Sequence, residues 1–190
     1  KHGLPLIDRA DWNDCLRVDP DCISGPEKIE KYKAQLEKGG QSYGSVPFES
    51  EYAESVMNGF LAKVAIDAAM DMFRVIKDDD YAMILSEMSE DVRVALVESA
   101  WKDDFYARVL FNRNDKPNLS YLGAKGDGLA VEDGAEGTYF LNAFSWSVLS
   151  GCATDEQIQT MLNTLDNNLR TPFGFRLCTA LDYPQIAPKI

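Results

Sequence analysis

Residues 8–14 read Asp-Arg-Ala-Asp-Trp-Asn-Asp and follow the apolar lead-in Gly3-Leu4-Pro5-Leu6-Ile7. Three carboxylates, a guanidinium and an indole are thus packed into one short stretch. If Asp8, Asp11 and Asp14 face a single low-dielectric surface, their mutual repulsion raises at least one carboxyl pKa toward the range useful to a general acid. A glycosidic bond needs such an acid for its leaving oxygen, a nucleophile on the opposite face and a surface for the sugar ring. Trp12 supplies a flat apolar face beside Asn13 and Asp14, a combination of stacking and polar grip suited to a carbohydrate. The same residue types also cap helices, build turns and fill cores, so residue type alone leaves both uses open. An inverting hydrolase needs a second carboxylate to activate water, whereas an enzyme that uses inorganic phosphate brings its own nucleophile and needs only the acid. The local pattern does not choose between these two chemistries.

Other chemistries find less support. Gly123-Ala124-Lys125-Gly126-Asp127-Gly128 fits neither phosphate-binding glycine pattern and reads as an ordinary flexible loop. Ser145 lacks a nucleophile elbow, and the one histidine, His2, is its only conceivable base. Cysteines at 15, 22, 152 and 178 lack the paired spacing of zinc modules, so no metal and no cofactor is expected, and free thiols in a cytoplasmic protein are the simplest reading. A net charge of −12 opposes nucleic acids and anionic membranes as partners. No apolar run reaches the roughly 20 residues of a membrane span. The six methionines lie in helical candidates and read as core filler.

The elements that must position this stretch are mostly helical. Ser24-Gly25-Pro26-Glu27 has the form of a capping box opening a short helix that stops at Gly39-Gly40, so residues 16–50 read as an excursion from the core. From Ser50 to about Ile76, Val56, Phe60, Leu61, Val64, Ala68, Met72 and Val75 recur at three and four, predicting a long helix with one broad buried face. Asp78-Asp79-Asp80 breaks the pattern, and Ile84, Leu85, Met88, Val92 and Leu96 mark a second helix to about Ala100, antiparallel to the first. Phe105, Ala107, Val109 and Phe111 alternate with Tyr106, Arg108 and Leu110, predicting a strand that pairs with a short one near Leu119–Leu122 as a hairpin. Residues 123–137 read as a long irregular loop. Phe140, Leu141, Phe144, Val148 and Leu149 form a third helical face ended by Gly151, and Asn142, Ser145 and Trp146 take its other sides. Thr154-Asp155-Glu156-Gln157 is a capping box ahead of Ile158, Met161, Leu162, Leu165 and Leu169. From Arg170 onward a terminal loop without regular structure is expected. Recurring helix pairs suggest an α/α architecture, and 190 residues suffice for one core.

Several of these segments carry a family resemblance. Gly3-Leu4-Pro5-Leu6 followed by Ala10-Asp11-Trp12-Asn13-Asp14-Cys15 resembles the catalytic segment of glycoside hydrolase family 94, the inverting phosphorylases of cellobiose, chitobiose and related β-glucosides. Further matches are Glu54-Ser55-Val56, Ala100-Trp101, Tyr139-Phe140-Leu141-Asn142 running into Ser145-Trp146-Ser147-Val148-Leu149-Ser150-Gly151, and Thr171-Pro172-Phe173-Gly174. Ile7-Asp8-Arg9-Ala10, the 16–50 insertion and Tyr121-Leu122-Gly123-Ala124-Lys125-Gly126-Asp127 look most like 1,2-β-oligoglucan phosphorylases. The resemblance implies a mainly α fold, part of an (α/α)6 barrel with a small β-hairpin and long loops. It implies Asp14 as general acid, Trp12, Asn13, Arg9 and Trp146 as sugar-binding residues, and a structural Asp11. Implied partners are an oligosaccharide and inorganic phosphate as co-substrate, with room for a homodimer.

The departure is one of extent. Family members are several times longer and complete the phosphate site with His, Thr and Gly positions that have no match here; His2 is a poor stand-in. The chain starts Lys-His-Gly-Leu without Met, as though cut from something longer. Residues 1–190 are therefore expected to form a single piece of a catalytic domain, weakly active or inactive alone. The alternatives at this point are a non-catalytic carbohydrate-binding α-domain and an inverting hydrolase.

Overall fold

The computed structural model describes residues 2–7, 30, 34, 53–111 and 120–180. In chain order the elements are β1 (Ala53–Ser55), α1 (Val56–Val75), α2 (Asp79–Ala100), β2 (Val109–Phe111), β3 (Tyr121–Leu122), α3 (Leu141–Leu149), α4 (Asp155–Asn168), β4 (Arg170–Thr171) and β5 (Gly174–Phe175). The structure is mainly helical, with two small antiparallel sheets among the described residues. Glu30 and Ala34 are helical, as the sequence predicts for that segment.

The helix predicted from Ser50 begins later, because Ala53–Ser55 pairs with β2 as a strand, Glu54 opposite Leu110. Ser55 then caps α1, its side chain accepting the Asn58 N–H at 3.3 Å. The broad buried face expected of α1 is confined to its first turns. Val56, Met57, Gly59 and Phe60 are buried, whereas Met72 is 70% and Val75 81% exposed. Asp78 accepts the Tyr81 N–H and caps α2, so the acidic turn joins the two helices as predicted. Ser89 of α2 donates to Asp67 of α1 at 2.5 Å and Lys63 meets the same carboxylate, tying the pair midway.

The predicted hairpin forms between β2 and β3, and β1 adds a third strand in the order β1-β2-β3. The alternation along 105–111 does not separate a wet face from a dry one: all seven residues, Arg108 included, are buried. A central strand covered on both faces loses the period of two in burial. Phe60, Trp101 and Tyr106 interlock through edge-to-face ring contacts with centroids 5.1–5.2 Å apart.

On α3 the buried residues are Ala143 and Ser147, one turn apart, while Leu149 is 67% exposed, so the face differs from the one predicted. Small side chains win that face because α4 comes close: Ser147 Oγ lies 3.9 Å from Met161 Sδ. α4 carries the capping box as predicted, Thr154 and Gln157 bonding reciprocally, and buries Met161 and Leu165. The segment after Arg170 is not the featureless loop expected. β4 and β5 pair across a turn in which Thr171 Oγ1 accepts the Phe173 N–H and donates to the Gly174 carbonyl. Cys152 is buried with its thiol free, and Cys178 is half-buried.

Candidate functional site

Arg9, Trp12, Asn13 and Asp14, with Asp8 and Asp11, lie outside the described residues. What the structure gives is the base from which that stretch departs. Ile7 N–H donates to the Ala53 carbonyl at 2.9 Å, Ser55 N–H donates to the Pro5 carbonyl at 2.7 Å, and Leu6 bridges Glu54 in antiparallel sense. The lead-in therefore lies along the free edge of β1. Leu4 and Ile7 point into the core, Ile7 only 2% exposed.

Glu54, itself 1% exposed, reinforces this edge. Its Oε1 accepts the backbone N–H groups of His2, Gly3 and Leu4 at 2.9, 3.0 and 3.1 Å, and its Oε2 lies 2.7 Å from His2 Nδ1. Gathering consecutive N–H groups offsets the cost of burying a carboxylate. The neighbouring Ser55 accepts a bond from Arg108 Nη1 at 3.1 Å. Arg108 is fully buried, and that burial lowers its pKa to about 9. Its carbonyl accepts the Val56 N–H and its N–H reaches the Leu122 carbonyl at 2.6 Å, so α1 and both partner strands meet at one residue. Gly123 is required there: a Cβ would stand 2.6 Å from the Arg108 nitrogen, at a φ of +112°.

A second polar group lies on the 101–106 turn and the 123–138 loop. Tyr139 donates to Asp104 at 2.8 Å, and Lys125 N–H reaches the same carboxylate at 3.3 Å. Burial nonetheless holds the Asp104 carboxyl above its ordinary range and pushes the Tyr139 phenol well up. Lys102 sits over the Tyr121 ring at 5.0 Å, its pKa lowered by burial. Lys125 pairs with Glu136 at 2.5 Å. Asp127, buried, accepts the N–H groups of Gly123, Leu129 and Thr138 and the Thr138 hydroxyl, which makes the irregular loop a fixed one. Gly137 closes it, since a Cβ would fall 2.3 Å from the Ala124 carbonyl oxygen.

Trp146 is half-buried against the core on α3. Asn142 lies one turn earlier on the same stripe, and its covered amide atoms meet no hydrogen-bond partner among the described residues. Ser145 Oγ donates back to the Leu141 carbonyl at 3.1 Å, a helix bond rather than a nucleophile's. Among the described residues no cluster of His, Cys, Asp or Glu could hold a metal, and no helix is long and apolar enough to cross a membrane.

Sequence reasoning treated Glu54 only as part of a matched segment and did not single out Asp104, Arg108 or Asp127. An acid and an arginine set in otherwise apolar strands were the available signal. Their partners lie up to 53 positions away and are not visible locally.

Residues 1–187 match the family model for the catalytic domain of the glycosyl hydrolase 94 superfamily. Solabiose phosphorylase of Paenibacillus borealis is 25% identical over 92% of this chain, which spans 18% of that relative. Cellobionic acid phosphorylase of Neurospora crassa is 33% identical over 53% of the chain and 11% of its own length. N,N'-diacetylchitobiose phosphorylase of Vibrio proteolyticus is 26% identical over 89% of the chain and 16% of its own length. The chain thus spans less than a fifth of these relatives. With the catalytic-domain model matched from end to end of the sheet, the helices and the segment that holds Asp-Trp-Asn-Asp, this chain belongs to the glycosyl hydrolase 94 superfamily.

Proposed function

We propose that the chain supplies one wall of the active site of an inverting glycoside phosphorylase, within an (α/α)6 barrel completed by the rest of a longer polypeptide. The observation that carries this is the catalytic-domain match over residues 1–187, which contains Asp-Trp-Asn-Asp; relatives named as phosphorylases support it. A phosphate oxygen attacks the anomeric carbon from the face opposite the glycosidic bond. That C–O bond breaks as the Asp14 carboxyl gives its proton to the departing sugar oxygen. The products are α-glucose 1-phosphate and a glucan shortened by one unit, and Asp14 is left as a carboxylate. Trp12, Asn13, Arg9 and Trp146 hold the sugar, with phosphate as co-substrate and no further cofactor.

For the substrate we favour a β-1,2-linked glucooligosaccharide, on the Ile7-Asp8-Arg9-Ala10 and Tyr121–Asp127 segments and the 16–50 insertion. A homodimer in the cytoplasm accompanies this reading, and the free thiol of the buried Cys152 fits a reducing compartment.

Asp14→Asn in the complete catalytic chain is expected to lower phosphate-dependent release of glucose 1-phosphate by about 10²–10⁴-fold while sparing sugar binding. Near-normal turnover overturns the assignment. Free glucose released in phosphate-free buffer marks a hydrolase instead, and sugar binding without any turnover marks a binding domain. Comparing β-1,2-glucooligosaccharides with cellobiose and chitobiose as substrates tests the linkage.

A further inference from the structure

We infer that an exposed stripe on α1, formed by Leu61, Ala65, Ala68, Met72 and Val75, is the seat of another helix of the same catalytic domain, contributed by polypeptide outside this chain. The inference rests on the reading above that a longer polypeptide completes the barrel. Spacing carries it first. The five residues recur at four, three, four and three along α1, the period at which one helix packs on another, and all five are exposed. The stripe runs about 21 Å along the helix and ends at an open cavity of about 290 Å³ lined by Met72, Phe73, Val75 and Ile76. α2 and α3 both pack on α1, yet neither covers it. Ala65 and Ala68 at its middle let a second backbone come close. The charged neighbours pair with each other, Lys63 with Asp67 and Arg74 with Asp71, and the stripe itself carries no charge. A contiguous apolar surface of this length marks an interaction site. Charge and extent select its occupant. A second copy of a chain of net charge −12 is repelled, whereas the relatives extend over four fifths of their length beyond the part this chain spans.

Peroxide oxidation of methionine reads the seat directly, because Met72 lies on the stripe and Met57, buried on the same helix, serves as the internal reference. In the 190-residue chain Met72 is expected to oxidise at least about tenfold faster than Met57. In the complete catalytic chain the two rates are expected to come within about threefold of each other, at every protein concentration. Ala68→Arg in the complete chain places a charge where only the added helix packs, so it is expected to return Met72 to its fast rate and leave Met57 slow. Fast oxidation of Met72 in the complete chain, similar rates for the two methionines in the 190-residue chain, or a slow Met72 in Ala68→Arg each overturns the inference. So does protection of Met72 that is lost on dilution, which makes a second copy the occupant. Asp14→Asn, assayed in parallel, separates the two claims. If that variant turns over normally the acid assignment falls, while the methionine rates still report on the seat.

Discussion

At the scale of single residues, the described part of the molecule uses buried charge to fix backbone. Glu54 and Asp127 are acceptors for runs of N–H groups, and Arg108 donates to Ser55 inside the core. Asp104 differs. Burial raises its carboxyl pKa more than the bonds from Tyr139 and Lys125 lower it. A carboxyl whose folded pKa is raised holds its proton more firmly folded than unfolded. The cost of its charge is therefore fully present above the folded pKa and fades as pH falls through that value toward the unfolded one. Asp104→Asn is isosteric and does not titrate. Its stability relative to the parent should be greatest near neutral pH and should decline as the pH falls toward the ordinary carboxylate range. Urea unfolding of both proteins across that range checks this, and a pH-independent difference would refute it.

At the scale of elements, the joint between α1 and α2 shows how a short turn sets a helix pair. Asp78 N–H bonds the Phe73 carbonyl at 3.0 Å and Lys77 N–H the Arg74 carbonyl at 3.1 Å, the paired bonds of a Schellman end. Lys77 takes the left-handed position, φ 62°, where glycine is usual, and Asp78 serves at once as the exit of α1 and the cap of α2. Glycine removes the Cβ strain at the cost of a floppier unfolded chain. Lys77→Gly should raise stability by about 0.5–1 kcal/mol, read as a higher midpoint in thermal or urea unfolding. A lowered midpoint would show that this turn is not held in the left-handed region.

At the scale of the whole molecule, burial is concentrated at one end of the α1–α2 pair. The β1-β2-β3 sheet, the 101–107 segment and the start of α1 share a single apolar cluster with α3 and α4. The far end of the pair is exposed and apolar: Met72, Phe73, Val75 and Ile76 line an open cavity of about 290 Å³, and Met83 and Met88 are also exposed. An apolar patch of this kind recruits hydrophobic probes even on a protein of net charge −12. The 190-residue chain is expected to bind the neutral dye Nile red. Val75→Lys combined with Ile76→Lys should reduce the fluorescence enhancement without lowering the unfolding midpoint, because both side chains are exposed. Undiminished fluorescence would place the dye elsewhere.

The sequence alone determined the helix pair, the hairpin, the capping box at Thr154 and the family, because each is written in local spacing or in a contiguous motif. Periodicity reports which residues share a face of one element and says nothing of what covers that face. Hence α1 read as buried along its length although its far half is uncovered, and 105–111 read as two-faced although both faces are packed. Only the tertiary structure decided that Glu54 holds residues 2–4 and that Arg108 lies inside the core. Those roles arise from contacts between residues about fifty apart, where burial and pairing depend on the folded neighbours and not on the local pattern.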